Sequence, residues 1–420
     1  MKEIRTQNHI QAEITVPGSK SYTHRTFIAA ALSDGMCTVS NALRSEDTLL
    51  TLDALKSFGV RVEDRNGQFV IYGRSGNLIA SPEIYLANSG TSVRLLTAVA
   101  ALAKGTTVLT GSERMKERPI GDLLEAMLQA GISARSVNSN GCPPVEIQGG
   151  NVKGGNVQIR CGVSSQYLSG LLLMAPCTKQ GMEIQVVEGP VSKPYIDLTV
   201  DIMKRFQISV ERQGYERFSV PGNQSYRSGS FTVEGDGSNA GYFWAAAAVT
   251  AGTVKVKGIS GDSRQGDVRL CECFEQMGCR VLREADGITV TGGKLRGIEK
   301  DMGNMPDVVP TLAVVAAFAQ GTTVISNVAH LKAKECDRLL AVAAELSKMG
   351  ADITATEDSL IIRGGKTMHG AEIETYNDHR MAMCMAVAGL KVPDVRILNE
   401  NCVEKSFPDF WSVFAELYSQ

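Results

Sequence analysis

Six long apolar runs, each closed by a turn and a strand-like segment, punctuate the chain. They read FIAAALSDGMCTV, LLTAVAALAKGTTVL, LSGLLLMAPCTKQGMEIQV, FWAAAAVTAGTVKV, LAVVAAFAQGTTVI and MAMCMAVAGLKVPDVRI. The turn positions are Gly35, Gly105, Gly181, Gly252, Gly321 and Lys391, at intervals of about 69 to 76 residues, the mark of an internal repeat. A second series interleaves with the first: LLTLDALKSFGVRV, LLEAMLQAGISA, LTVDIMKRFQISV, VRLCECFEQMGCRV and LLAVAAELSKMGADI. It pivots on Gly59, Gly131, Gln207, Gly278 and Gly350. Each member has a helical period, a C-cap-like pivot and then an alternating strand. The first kind of helix is apolar nearly all round, which predicts burial on every side. The second has a charged face and is predicted to lie outside.

Each repeat therefore reads strand, buried helix, strand, amphipathic helix, strand, strand. This predicts an α/β protein of six βαβαββ units, three per domain. FPDFWSVFAELYSQ supplies the sixth amphipathic helix, within about 407–418. The last strands of that unit do not follow it, but EIRTQNHIQAEITVPG matches the strand pair VRVEDRNGQFVIYG. The first residues are thus expected to complete the sixth unit. One discontinuous domain takes 1–18 and 234–420, and an inserted domain takes 19–233.

At 420 residues the chain is too long for one ordinary core. Apolar residues at 43% and charged residues at 21% exclude a disordered chain. No apolar run suits a membrane span, and MKEIRTQNHIQAEI has no signal-peptide core. The net charge of −2 argues against a nucleic-acid binder or a polybasic membrane binder. Ten cysteines are scattered without a Cys-x-x-Cys pair, which suits a reducing cytoplasm and gives no zinc knuckle. No phosphate loop, dinucleotide fingerprint, HExxH or EF-hand loop occurs, so neither a nucleotide cofactor nor a metal is expected.

The buried helices are preceded by polar turns: PGSKSYTHR, ANSGTSVR, GVSSQ, GDGSNAG, NMPD and YNDHR. Their Ser, Asn and Asp residues suit N-caps. Unpaired N–H groups and the helix dipole make such ends receptive to phosphate or carboxylate. Capping does not explain the basic residues that recur there, Lys20, Arg25, Arg94, His379 and Arg380. Further cations precede the outer helices: Arg114, Lys116 and Arg118; Lys193; Lys332, Lys334 and Arg338; and Lys405. The collected set points to substrates with several negative charges. Acid–base candidates are Asp307, Glu335, Asp378 and His379. For Asp307 plain N-capping is the alternative, and for Glu335 an i,i+3 ion pair with Arg338.

These segments, with RMKERPIG, SSQYLSGLL, SKPYIDLT, Pro306-Asp307, KAKECDRL, NDHRMAM and KSFPDF, resemble the enolpyruvyl transferases over the whole length. The likeness is to the branch that uses shikimate 3-phosphate. The cell-wall branch, which uses UDP-N-acetylglucosamine, usually has a reactive Cys before its Arg-Pro motif, and GSERMKERP has none. The resemblance implies a two-domain inside-out α/β barrel whose buried helices point at an interdomain cleft. It implies transfer of the enolpyruvyl group of phosphoenolpyruvate to the 5-hydroxyl of shikimate 3-phosphate through a tetrahedral intermediate, with release of phosphate and no cofactor. It also implies inhibition by glyphosate, a monomer and a cytoplasmic location. Carried over, Lys20, Ser21, Arg25, Ser164, Ser165, Gln166, Ser192, Tyr195, Asp307, His330 and Lys334 take shikimate 3-phosphate. Lys20, Asn88, Gly90, Arg118, Gln166, Arg338, Arg380 and Lys405 take phosphoenolpyruvate. Asp307 is the expected base for the 5-hydroxyl, and Glu335 the expected proton donor to the methylene carbon, with Lys20 as competitor. Three positions depart from the pattern: Ser89 for the commoner Ala, His330 for Asn, and Val309-Pro310 after Asp307. A noncatalytic six-unit binding protein is the other alternative, and the presence of both carboxyls and all the cations weighs against it.

Overall fold

The computed structural model describes residues 1–418. Its chain divides into two compact units, Met1–Pro17 with Glu234–Gln420, and Gly18–Val233. Within Gly18–Val233 the inner helices are Lys20–Leu32, Gly90–Ala100 and Gln166–Met174. In the other unit they are Gly237–Thr250, Val309–Ala317 and His379–Gly389. Apolarity on every side has the predicted result: each residue of Gly237–Thr250 is buried. Outer helices bury one stripe only. In Pro194–Arg205 these are Ile196, Leu198, Thr199, Ile202 and Met203. The outer helices end in the left-handed turn that their pivots anticipate. Gly278 has φ 109°, and Gln207 adopts φ 61° where the other repeats have glycine.

Inner helices pack closely where small residues meet. Gly170 lies against the Arg94 carbonyl and Ala98, so a Cβ there would stand 3.0 Å from that carbonyl oxygen. Pro310 falls in the first turn of Val309–Ala317, where its missing N–H costs no helical bond. The departure after Asp307 thus fits the local helix geometry.

Five four-stranded sheets share one plan: first and second strands parallel, the rest antiparallel. The chain start corrects one expectation. Lys2–Glu3 does join the sixth unit's sheet, antiparallel to Arg396–Ile397. Gln11–Thr15 does not accompany it as the second strand of a hairpin. It pairs in parallel with Thr253–Lys257, placing Ile14 opposite Val256. Reciprocally, Ser230–Thr232 pairs in parallel with Met36–Ser40. Each of these strands thus pairs within its own compact unit. Burial explains the choice: Ile4 and Ile10 are both sunk into the core, so the intervening chain spans between two sheets and forms no turn.

Candidate active site

In Gly18–Val233 the predicted residues gather at the starts of the inner helices. Lys20 opens its helix, is 8% exposed, and donates Nζ to Asp47 Oδ2 at 3.2 Å. One turn later Arg25 is fully buried. Its Nε donates to Thr199 Oγ1 at 2.7 Å, and its Nη atoms to the Ser21 and Tyr195 carbonyls and to Ser169 Oγ. Among the described residues no carboxylate pairs with it. Burial pulls its guanidinium down to about 10, with the Tyr195 and Tyr22 hydroxyls opposing. A buried guanidinium that lacks a counter-charge is suited to a carboxylate from outside the chain.

Ser164, Ser165 and Ser192 are buried. Ser165 stands at the N-cap of Gln166–Met174 but bonds no helical N–H through its side chain. Ser192 occupies the left-handed region at φ 55°, in the turn ahead of Tyr195. Gln166 accepts from Arg94 Nη1 at 3.1 Å and donates to Thr91 Oγ1 at 2.9 Å. Arg118 donates Nη1 to the Asn88 carbonyl at 3.0 Å and to Asn88 Oδ1 at 3.2 Å. Its fork lies over Gly90, where a Cβ would collide with it. By contrast, Lys116 pairs with Glu113 on an exposed turn, as ordinary surface lysines do.

The other unit builds an ionic cluster around Asp307. This residue lies in the short turn Pro306–Val308, and the helix after it is capped by Val308, so Asp307 is not its N-cap. Its Oδ1 accepts from Lys334 Nζ at 3.3 Å and Arg338 Nη1 at 3.1 Å, and its Oδ2 from Arg380 Nη2 at 2.6 Å. Arg338 also donates Nη2 to Glu335 at 2.7 Å, and Nε and Nη2 to Asp378 at 2.7 and 3.2 Å. The i,i+3 pair expected for Glu335 is present, within a larger array. Burial alone would lower Arg338, but Asp378, Glu335 and Asp307 outweigh it and hold the guanidinium well above its ordinary value. Burial lowers Lys334, against the pull of Asp307. His330 is depressed to about 4, first by burial and then by Lys334. Lys405 is buried, and the carbonyl of adjacent Ser406 accepts from Asn239 Nδ2 at 3.2 Å.

Such a set can fix several anionic groups and place a carboxylate base beside a lysine and two arginines. Among the described residues no three His, Cys, Asp or Glu side chains cluster as a metal site. None of the helices among the described residues is long and apolar enough to cross a membrane.

The family model described as EPSP synthase (3-phosphoshikimate 1-carboxyvinyltransferase) matches residues 4–414. The chain belongs to the EPSP synthase family. A 3-phosphoshikimate 1-carboxyvinyltransferase from Sulfurovum sp. (strain NBC37-1) is 42% identical, over 100% of this chain and 99% of that protein. Its counterpart from Nitrosomonas europaea is 43% identical, over 97% and 96%. EPSP synthase from Acinetobacter baumannii superposes with a TM-score of 0.81 at 30% identity, covering 98% of this chain and 96% of that structure. The inside-out α/β fold class and the enolpyruvyl transferase likeness are thereby established for this EPSP synthase family member.

Several supporting residues are not marked by the sequence. Asp47 holds Lys20, and Thr199 and Ser169 hold Arg25. Arg94, one of the cations expected at the helix starts, holds Gln166. Ser169 was detectable as a lone hydroxyl inside the apolar run QYLSGLLLM. Asp47 and Thr199 sit on outer helices, where polar residues read as solvated.

Proposed function

We propose that this chain performs its family's reaction with the residues gathered above, transferring the enolpyruvyl group of phosphoenolpyruvate to the 5-hydroxyl of shikimate 3-phosphate. The product enters aromatic amino acid biosynthesis. The observation that carries the assignment is the Asp307 carboxylate, held by Lys334, Arg338 and Arg380. A carboxylate held in this way is positioned to act as the base.

On the shikimate side, Arg25 takes the ring carboxylate together with Ser21. Ser164, Ser165 and Ser192 take the 3-phosphate, and Gln166, Tyr195, His330 and Lys334 complete the surround. Lys20, Asn88, Gly90, Arg118 and Gln166 receive phosphoenolpyruvate, with Arg338, Arg380 and Lys405. Support comes from the concentration of buried serines and cations among these residues and from the charge balance. Arg338 makes four donations to its three acids, which leaves one N–H of its fork for a ligand oxygen.

Asp307 removes the proton of the 5-hydroxyl as its oxygen bonds to the enol carbon, and a proton reaches the methylene carbon to give a methyl group. Glu335 is our donor for that proton, with Lys20 as competitor. Glu335 accepts from Arg338 Nη2 at 2.7 Å. Negative charge brought by phosphoenolpyruvate would favour the protonated carboxyl that a donor needs. In the second step phosphate leaves, and the methyl group returns one proton to restore the double bond. No cofactor takes part. We further propose inhibition by glyphosate, a monomeric state and a cytoplasmic location.

One assay tests the assignment. Phosphate release should require both phosphoenolpyruvate and shikimate 3-phosphate, and persist with a chelator. Equal turnover with UDP-N-acetylglucosamine would place the chain in the cell-wall branch. Binding without release would make it a noncatalytic relative.

A further inference from the structure

Two turns along the helix from Arg338 lies a carboxylate that touches none of the residues placed around the substrates. Glu345 is 1% exposed, within the helix Arg338–Lys348. It accepts from Lys348 Nζ at 2.6 Å, from the Glu374 backbone N–H at 3.0 Å and from the Tyr376 hydroxyl at 2.9 Å. The last two belong to the loop that leads into the inner helix His379–Gly389.

That loop is strained. Tyr376 and Asn377 are consecutive and both left-handed, at φ 53° and 52°. Asparagine tolerates this region, whereas an aromatic residue there is rare. Such backbone persists where its surroundings over-determine it. Here Glu374 Oε1 accepts the N–H groups of Thr375 and Tyr376 at 3.1 and 3.2 Å, and the Asp378 N–H bonds the Thr375 carbonyl at 2.8 Å.

Three cations depend on where this loop ends. Asp378 follows it directly, caps the helix through the Arg380 N–H at 2.9 Å, and grips Arg338 through both carboxylate oxygens. Asn377 Oδ1 accepts from Asn399 Nδ2 at 3.2 Å, and Asn399 begins the turn Glu400–Lys405. The loop is therefore bonded to the supports of Arg338, Arg380 and Lys405 alike.

We propose that Glu345 and Tyr376 are positioning residues for phosphoenolpyruvate: their hydrogen bond locks the left-handed Tyr376–Asn377 pair and so sets Asp378 against Arg338. Nothing in this role requires contact with either substrate. It rests on the reading that Arg338, Arg380 and Lys405 receive phosphoenolpyruvate.

Tyr376→Phe keeps the ring and removes only the donated hydrogen bond. Its KM for phosphoenolpyruvate should rise roughly 3- to 30-fold, a part of the about 10- to 150-fold that losing one hydrogen bond to a charged group can cost, because the effect reaches the ligand only through Asp378. Its KM for shikimate 3-phosphate should stay unchanged. Glu345→Gln should act in the same direction, and the double variant should be less than additive, because both changes break one bond. An unchanged KM for phosphoenolpyruvate in Tyr376→Phe overturns the proposal, whatever happens to thermal stability. A fall in kcat alone overturns it equally. If Glu345→Gln fails to fold, Tyr376→Phe decides. Arg338→Lys separates the layers: if it leaves the KM for phosphoenolpyruvate unchanged, the ligand assignment fails. If it raises that KM and Tyr376→Phe does not, only the present inference fails.

Discussion

Asp307 and Arg380 meet through Oδ2 and Nη2 at 2.6 Å, the shortest of the three contacts that hold this carboxylate. The relationship makes Asp307 two things at once, a base and a counter-charge for cations that await an anion. The two roles are separable in kinetics. Asp307→Ala should lower kcat by roughly 10²–10⁴, the usual worth of a positioned base. Its KM for phosphoenolpyruvate should not rise, because removing the carboxylate frees Arg338 and Arg380 for the substrate. Steady-state kinetics in both substrates check this. Near-normal kcat would leave Asp307 as a purely structural ion-pair partner.

Gly90→Ala has a definite steric consequence. The added methyl would collide with the Arg118 fork, which is bonded to Asn88. A long side chain can yield, so the protein should fold, but Arg118 would leave its place. We expect a higher KM for phosphoenolpyruvate and, for the larger competitor glyphosate, a greater loss of inhibition. Inhibitor titrations at fixed phosphoenolpyruvate test the order of the two effects. Equal inhibition of variant and parent would remove Gly90 from the site.

The repeat was legible because two helix types with different apolar faces recur in register. All-round apolarity gave the inner helices, and a single charged face gave the outer ones. The partners of the first strands were not legible in the same way. Gln11–Thr15 has the alternation of a strand, but alternation does not name a partner, and its partner Thr253–Lys257 is distant in sequence. The charged site residues showed themselves as cations at helix starts. Their supports showed less: Asp47 looks like an ordinary helix-start acid until Lys20 is seen against it, and Asp378, expected as an acid–base candidate, is found gripping Arg338. Glu345 was hidden for the same reason, since a glutamate three residues from the end of an amphipathic helix normally faces water.

Arg25 should discriminate charge from geometry. Its fork is fixed by Thr199, Ser169 and two carbonyls, none of them a counter-ion. Arg25→Lys preserves charge but cannot reproduce the planar fork. We expect binding of shikimate 3-phosphate to weaken by about tenfold or more, as for loss of a charge-assisted bond pair. Phosphoenolpyruvate should be little affected. Calorimetric titration of shikimate 3-phosphate alone measures the change, and wild-type affinity in Arg25→Lys would refute the carboxylate assignment.

His330 provides a test in stability. Its imidazole is depressed from 6.5 to about 4, chiefly by burial and then by Lys334, with Asp307 and Asp301 opposing. The folded protein therefore resists a proton that the unfolded chain accepts. Above about pH 6.5 both states are neutral here, and the residue contributes no pH dependence. As pH falls from about 6.5 to about 4, the unfolded state gains the proton first, and stability declines at up to about 1.4 kcal/mol per pH unit. Below about 4 both states are protonated and this contribution levels off. His330→Asn lacks the titration, so its melting temperature should fall less than the parent's between pH 7 and pH 5. Melting curves of the two proteins across that range check the sign. Parallel declines would show that His330 titrates normally, and its placement as a neutral group beside shikimate 3-phosphate would then lose its support.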